Sequence, residues 1–195
     1  MTTTLVATMP GRPPRLRWTG KEFDHACEMG LFDRRRVELI NGDILEMLPM
    51  NEPHACAVQI GTYLLMRQLP PSHYTVRVQL PMRLGEMRPM PEFVVLAGSP
   101  RENNTHPTSA LLVIEISDAS LTFDRTDKAE LYAAFGITDY WIADLNAKRV
   151  DVHRKPLSDP SGVIVYSERY SVGHGATLTA LNIPALTFSV EELIP

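Results

Sequence analysis

Apolar side chains fill almost all of residues 111–117, LLVIEIS, and a single acidic residue, Glu115, interrupts them. A near-continuous apolar run of this length is typical of a strand that is buried on both faces. Strand alternation places Glu115 and Ser117 on one face with Leu111 and Val113, and leaves only aliphatic residues on the other. Burying an unpaired carboxylate costs free energy or forces its protonation, so Glu115 must face a group that accommodates its charge.

The same patterning of apolar and polar positions, together with capping and turn residues, predicts the rest of the fold. Asn41-Gly42 between two apolar runs is a strong hairpin signal, and Asn51 and Gly136 are suited to begin and end helices. The predicted elements are a helix over 19–30, a hairpin over 34–47, a helix over 51–71, strands over 74–84, 91–98 and 111–117, a helix over 122–136, a hairpin over 137–155, and short strands and a tail after 162. They sum to an α+β (α/β) fold with a central sheet flanked by helices.

Length and composition are those of an ordinary globular protein. With 195 residues, 44% of them hydrophobic and 22% charged, we expect a single domain over 18–195, preceded by a flexible arm over 1–17 that is rich in Thr, Pro and Gly. No apolar stretch approaches the ~20 residues that span a membrane, and the N-terminus lacks the pattern of a secretory signal. The two cysteines have no metal-ligand spacing and fit a reducing cytoplasm.

One stripe of the predicted helix over 122–136 combines charged and apolar residues. Spacings of three and four residues align Asp124 and Lys128 with Leu131, Tyr132 and Phe135. The apolar half of this stripe should face the sheet, so the other half points Asp124 and Lys128 inward, near the strand that carries Glu115. Polar groups on a core-facing stripe need partners, and Lys128 opposite Glu115 is the natural pair.

A second acidic residue, Glu92, begins the predicted strand over 91–98. If this strand pairs with residues 111–117, the carboxylates of Glu92 and Glu115 lie a few ångströms apart, and like charges at that distance raise one another's pKa. A divalent cation with hard oxygen ligands, such as Mg²⁺, resolves the conflict. From the residues alone, a structural Glu115–Lys128 ion pair explains the pattern equally well. Asp124 could do no more than favour a helix N-terminus.

The order of these stretches resembles a known group of enzymes. MPEFVV, LLVIEIS and FDRTDKAELYAAFGITDYWIAD are similar to the PD-(D/E)XK nuclease superfamily, and more closely to a bacterial family of restriction-endonuclease-like proteins formerly catalogued as a domain of unknown function. The resemblance runs from about Thr19 to the C-terminus and is most specific over 111–154. It implies a restriction-endonuclease-like mixed β-sheet flanked by helices, with an N-terminal β-hairpin.

The resemblance also implies roles for individual residues. The catalytic residues of the family correspond to Glu38, Glu92, Glu115 and Lys128. The ligands for Mg²⁺ (or Mn²⁺) correspond to Glu92, Glu115 and the backbone carbonyl of Ile116. Ser117 stands where the strand lysine of the superfamily normally lies, and the helical Lys128 would reach the same spot. The weaker supporting positions are Asp124, His54 and Ser117. The implied reaction is hydrolysis of DNA phosphodiester bonds by a metal-activated water, leaving a 5′-phosphate and a 3′-hydroxyl.

Charge gives a limited guide to the substrate. The net charge of −4 argues against a protein coated for nucleic-acid binding, but permits a local basic groove. Arg34, Arg35 and Arg36 form the tightest basic run and could contact phosphates. A homodimer is expected if both strands of DNA are cut. The alternative function is a catalytically inactive nuclease-fold module that binds DNA or a partner.

Overall fold

Hydrogen-bonded strands build one six-stranded sheet in the computed structural model, which describes residues 14–195. The elements in chain order are α1 (Gly20–Glu28), β1 (Val37–Ile40), β2 (Asp43–Glu46), α2 (Glu52–Gln68), β3 (Tyr74–Val78), β4 (Phe93–Ala97), β5 (Leu112–Ser117), α3 (Leu121–Phe123), a π-helical segment (Asp124–Lys128), α4 (Ala129–Ala134), β6 (Asp139–Asp144), β7 (Arg149–Ser158), β8 (Ile164–Gly173), β9 (Thr177–Ala180), β10 (Ile183–Ser189) and α5 (Val190–Leu193).

The sheet has the order β3-β4-β5-β6-β7-β8, and β5 lies in its interior. β5 and β6 are parallel, whereas the other neighbouring strands are antiparallel. Parallel neighbours need a crossover connection, and the helix over 121–134 provides it. This connection brings the N-terminal half of the helix over the end of β5. β1 with β2, and β9 with β10, form two separate hairpins.

A hydrophobic core lies on each face of the sheet. Ile114 and Ile116 of β5 pack in the core shared with α2, β10 and α5, and Val113 packs in the opposite core with Leu131 and Tyr132. The two faces of β5 are therefore those that alternation predicts. Glu115 lies on the same face as Val113, which is the face that the crossover helix covers.

The predicted caps and turns are present. Thr19 forms a capping box at the start of α1, and Asn51 accepts a hydrogen bond from the amide of His54 at the start of α2. Asn41 and Gly42 take φ values of 50° and 78° in the β1–β2 turn, as a two-residue hairpin loop requires. Of the predicted flexible arm over 1–17, residues 1–13 lie outside the described residues. Arg17 pairs with Asp43 on the hairpin.

Two elements differ from their predicted form. The strand predicted over 74–84 ends at Val78, because Gln79 takes a φ of 52° and Pro81 has no amide hydrogen for a ladder. The helix predicted over 122–136 contains the π-helical segment. In the described part of the chain, every helix is too short or too polar to span a lipid bilayer, and both cysteines are free.

His153 on β7 should make the stability of the protein depend on pH. Its side chain is 6% exposed, it packs edge-on against Tyr140 and Tyr166, and its Nδ1 has no hydrogen-bond partner among the described residues. Burial lowers its pKa from 6.5 to about 4, and Arg169 adds to the effect. The unfolded chain therefore binds more protons than the folded protein between about pH 4 and 6.5, so stability falls as the pH falls through that window.

We expect His153 to account for a loss on the order of 2 kcal/mol in the free energy of unfolding. A pKa change of one corresponds to about 1.4 kcal/mol, and solvent screens part of the charge. Urea unfolding at pH 7.5 and pH 4.5 measures it. His153→Phe, which keeps a ring between the two tyrosines, should show a smaller difference between the two pH values than the wild-type protein. An identical difference in both proteins would contradict the prediction.

Candidate active site

Five charged side chains meet where β5 ends beneath the crossover helix. Glu38 comes from β1, Glu92 immediately precedes β4, Glu115 lies on β5, and Asp124 and Lys128 lie at the two ends of the π-helical segment. None of them is more than 5% exposed. The pairing of β4 with β5 sets Phe93 opposite Ile114, which brings Glu92 beside Glu115.

The ammonium of Lys128 lies at the centre of three carboxylates. Its Nζ is 3.0 Å from Glu115 Oε1, 3.5 Å from Glu38 Oε2 and 3.8 Å from Asp124 Oδ1. Burial would lower the pKa of Lys128, but the three carboxylates outweigh burial and raise it. Lys128 is therefore protonated, and the pairing with Glu115 that the helix stripe predicts is present.

Glu115 is held from three directions. Tyr132 donates its hydroxyl hydrogen to Oε1 over 2.9 Å, Lys128 bonds the same oxygen, and the backbone amide of Glu92 lies 3.4 Å from Oε2. Burial raises the pKa of Glu115 to about 8; Lys128 opposes this, and the neighbouring carboxylates add to it. Glu115 is therefore easier to protonate than an ordinary glutamate, and the cation of Lys128 limits that tendency.

Glu92 has one partner on each carboxylate oxygen. His54 Nε2 lies 2.8 Å from Oε1, and Gln79 donates from Nε2 to Oε2 over 2.7 Å. Burial would raise the pKa of Glu92, but the hydrogen bonds from His54 and Gln79 outweigh it, so the pKa is lowered. Glu92 is the ionised carboxylate of the Glu92–Glu115 pair.

The π-helical segment fixes Asp124 and Lys128 in place. Ser117 and Ser120 donate their hydroxyl hydrogens to Asp124 Oδ2 over 2.8 Å and 2.6 Å, and the Tyr140 hydroxyl donates to the Asp124 carbonyl over 3.0 Å. A π-turn widens a helix locally and frequently lies at a functional site. Ser117 thus holds Asp124, which in turn lies beside Lys128.

The cluster carries more negative than positive charge. Four buried carboxylates, those of Glu38, Glu92, Glu115 and Asp124, face one ammonium. A proton on Glu115 relieves part of this excess, and a hard divalent cation bound to oxygen ligands would relieve more of it. Within residues 14–195, no three His, Cys, Asp or Glu side chains already form a metal-binding group, and the Lys128 ammonium takes the central position. The donor oxygens of Glu92 and Glu115 nevertheless suit Mg²⁺ in chemistry and charge.

A cavity of about 380 Å³ opens onto these groups. All four residues of the predicted catalytic set line it, as do Ile116, Asp124 and His54. Of the predicted basic run, Arg36 lines the cavity, whereas Arg34 is exposed outside it and Arg35 lies 3.8 Å from Glu46. Arg36 is thus the one arginine of the run that is placed to meet a ligand in this cavity.

Three side chains that bond the cluster, Tyr132, Gln79 and Ser120, were not predicted as site residues. Tyr132 lies four residues after Lys128 on the same helix stripe, so its position in the sequence carried a signal. No sequence signal pointed to Gln79. Its side chain reaches Glu92 only because its backbone takes a positive φ, a conformation that glutamine rarely adopts. Backbone strain of this kind is concentrated at functional sites.

Comparisons with known proteins identify the family and the fold of the chain. The model of a protein family named Uma2 and described as "Putative restriction endonuclease" matches residues 21–191. A crystal structure described as "a putative nuclease belonging to DUF820", from Anabaena variabilis ATCC 29413, is similar with a TM-score of 0.71 at 18% sequence identity, over 90% of this chain and 97% of that chain. At this identity the likeness shows the fold alone, and it confirms the predicted fold class. No curated protein sequence matches the chain.

Proposed function

The chain belongs to the Uma2 family of putative restriction endonucleases, as its motifs predict, and on that premise we propose that it is a Mg²⁺-dependent nuclease that hydrolyses DNA phosphodiester bonds. One observation carries the proposal. Glu38, Glu92, Glu115 and Lys128 come from four separate places in the chain and line one cavity, although burying so many charges is costly. A cost of this kind is typical of active sites.

The metal would be held by two neighbouring carboxylates, one just before β4 and one on β5. Glu92 and Glu115 would provide oxygen ligands, together with the backbone carbonyl of Ile116, and Glu38 would approach from the hairpin. When bound, Mg²⁺ or Mn²⁺ lowers the pKa of a bound water and neutralises the charge that develops on the phosphate. The excess negative charge of the cluster supports this assignment.

The protein's own residues would supply orientation and positive charge. Lys128 is a compact, permanently protonated cation in the cavity, and it can donate hydrogen bonds to a phosphate oxygen or orient the attacking water. Asp124 and Tyr132 are positioning residues: Asp124 lies beside Lys128, and Tyr132 holds one oxygen of Glu115. His54 and Gln79 orient Glu92 from the other side.

Purified protein should cut DNA, supplied as supercoiled plasmid and as a single strand, in the presence of Mg²⁺ or Mn²⁺ and lose this activity in EDTA. Calorimetric titration should show Mn²⁺ binding that Glu92→Gln weakens by at least about tenfold. Mutating residues that only orient a metal ligand already lowers metal affinity by about that factor, and Glu92 would be a ligand itself. Glu28→Gln, at an exposed position of α1, is the matched control and should leave both measurements unchanged. Cleavage that persists in EDTA would contradict the metal-dependent reaction.

A second candidate function, an inactive nuclease-fold module that binds DNA, is favoured by the central position of Lys128. An ammonium that already bridges three carboxylates can stabilise the fold without any metal. This candidate predicts no cleavage with any divalent cation and no heat of Mn²⁺ binding. It also predicts DNA binding that weakens steeply as salt is added.

A further inference from the structure

The charged cluster lies at the buried end of its cavity, whereas the outer end is lined by exposed apolar residues. Leu48 and Met50, in the segment between β2 and α2, are 76% and 42% exposed and line the same cavity as the cluster, in which no group is more than 5% exposed. A phosphate can therefore reach Lys128 only by entering the cavity. We propose that the strand that enters is unpaired, so that the substrate is single-stranded nucleic acid or a single-stranded stretch of a longer molecule. This inference rests on the proposed nuclease function.

The size of the cavity is the first argument. At about 380 Å³ it lies at the lower end of the roughly 300–1,000 Å³ that enclose one small organic molecule. It can hold one nucleotide, but not a base pair still stacked in a double helix. To place its backbone phosphate at the buried end of the cavity, a paired nucleotide would have to leave the base stack, and this costs least when the nucleotide is already unpaired.

The apolar walls are the second argument. Leu45, Leu48 and Met50 lie on the side of the hairpin, and Phe123 lies on the crossover helix. The ring centroid of Phe123 is 5.8 Å from Lys128 Nζ. Exposed base faces stack on aromatic and apolar side chains irrespective of sequence. A base against Phe123 would thus leave its own phosphate beside Lys128.

Charge is the third argument. Among the cavity-lining residues that the structure describes, the only Lys or Arg side chains are Arg36 and Lys128. The acidic residues that line the cavity are Glu38, Glu46, Glu92, Glu115, Asp118 and Asp124. A duplex carries one charge per about 1.7 Å and is held mainly by many cationic contacts, whereas a single strand carries one per about 3.4 Å. This cavity repels a single strand less than a duplex. One site is enough to cut one strand, so this reaction does not need a second copy of the chain.

Three end-labelled DNA substrates of one sequence test the proposal: a 30-nucleotide single strand, the corresponding blunt duplex, and a duplex with one unpaired arm. With Mn²⁺, we expect the single strand to be cut at least about tenfold faster than the duplex, and cuts in the third substrate to fall in the unpaired arm. Equal or faster cutting of the blunt duplex would overturn the inference while leaving the nuclease function intact. A single-stranded RNA of the same sequence shows which sugar is accepted.

Binding decides the inference even if no substrate is cut, an outcome that would reject the proposed nuclease function. Fluorescence anisotropy should then show the single strand bound at least about tenfold more tightly than the duplex, and equal affinities would overturn the inference. Leu48→Ala and Phe123→Ala should each weaken single-strand binding several-fold. Leu157→Ala, at an exposed aliphatic position on β7 away from the cavity, is the matched control and should have no effect. Single-strand binding that both cavity variants leave unchanged would also overturn the inference.

Discussion

Lys128→Met is expected to lower the free energy of unfolding by about 3–5 kcal/mol and to abolish DNA cleavage. The methionine has nearly the volume of lysine but no charge, so the carboxylates of Glu38 and Asp124 would be left buried without the cation that they share. Removing one partner of a buried ion cluster has effects of this size, because the remaining charges are neither solvated nor paired. Urea unfolding at pH 7 measures the stability, and cleavage of plasmid and single-stranded DNA with Mn²⁺ measures the activity.

Two further proteins separate the effect of charge from that of volume. The double variant Lys128→Met with Glu38→Gln also removes one of the buried carboxylates that Lys128→Met leaves unpaired. It should recover part of the lost stability, although not the activity. Lys21→Met, at an exposed position of α1, should unfold within about 0.5 kcal/mol of the wild-type protein. If Lys128→Met is also within that range, the ammonium is not the cation that holds the carboxylates together.

The pairing of Lys128 with Glu115 could be predicted because two local periodicities are sufficient for it. Alternation along residues 111–117 fixes the face of Glu115, and the three- and four-residue spacing of the following helix fixes the face of Lys128. A parallel crossover then sets the helix over that face. The approach of Glu92 to Glu115 was predictable for a similar reason, since it needed only the pairing of two neighbouring strands.

Other features of the site depend on contacts that no local pattern encodes. Glu38 reaches Lys128 only because the β1–β2 hairpin docks beside the sheet, and the motif resemblance rather than any periodicity pointed to it. The π-helical turn and the positive φ of Gln79 are conformations that local propensity disfavours and tertiary contacts impose. The enclosure of the cluster also depends on the segment between β2 and α2, whose irregular path has no sequence signature.

Glu115→Gln is expected to reduce metal-dependent cleavage by at least about 1,000-fold while leaving the fold nearly as stable as before. A bound divalent metal typically stabilises the transition state by several kcal/mol, and each step of about 1.4 kcal/mol corresponds to a factor of ten in rate. Loss of a metal ligand should therefore lower the rate by several factors of ten. Glutamine has the shape of a protonated glutamate, and burial raises the pKa of Glu115 to about 8, so replacing its charge with a neutral amide costs the fold little. Single-turnover cleavage and urea unfolding, both at pH 7, measure the two effects.

This combination of a large catalytic effect and a small structural effect distinguishes an active site from a structural ion pair. If Glu115 served only to neutralise Lys128, its amide variant would lose stability because Lys128 would keep only the more distant carboxylates of Glu38 and Asp124, at 3.5 Å and 3.8 Å. Cleavage would then be unchanged or absent in both proteins. Glu130→Gln, exposed on α4, controls for the loss of a carboxylate outside the cavity and should cleave at the wild-type rate. Full cleavage by Glu115→Gln would remove Glu115 from the metal site, because an amide is a much weaker ligand for Mg²⁺ than a carboxylate.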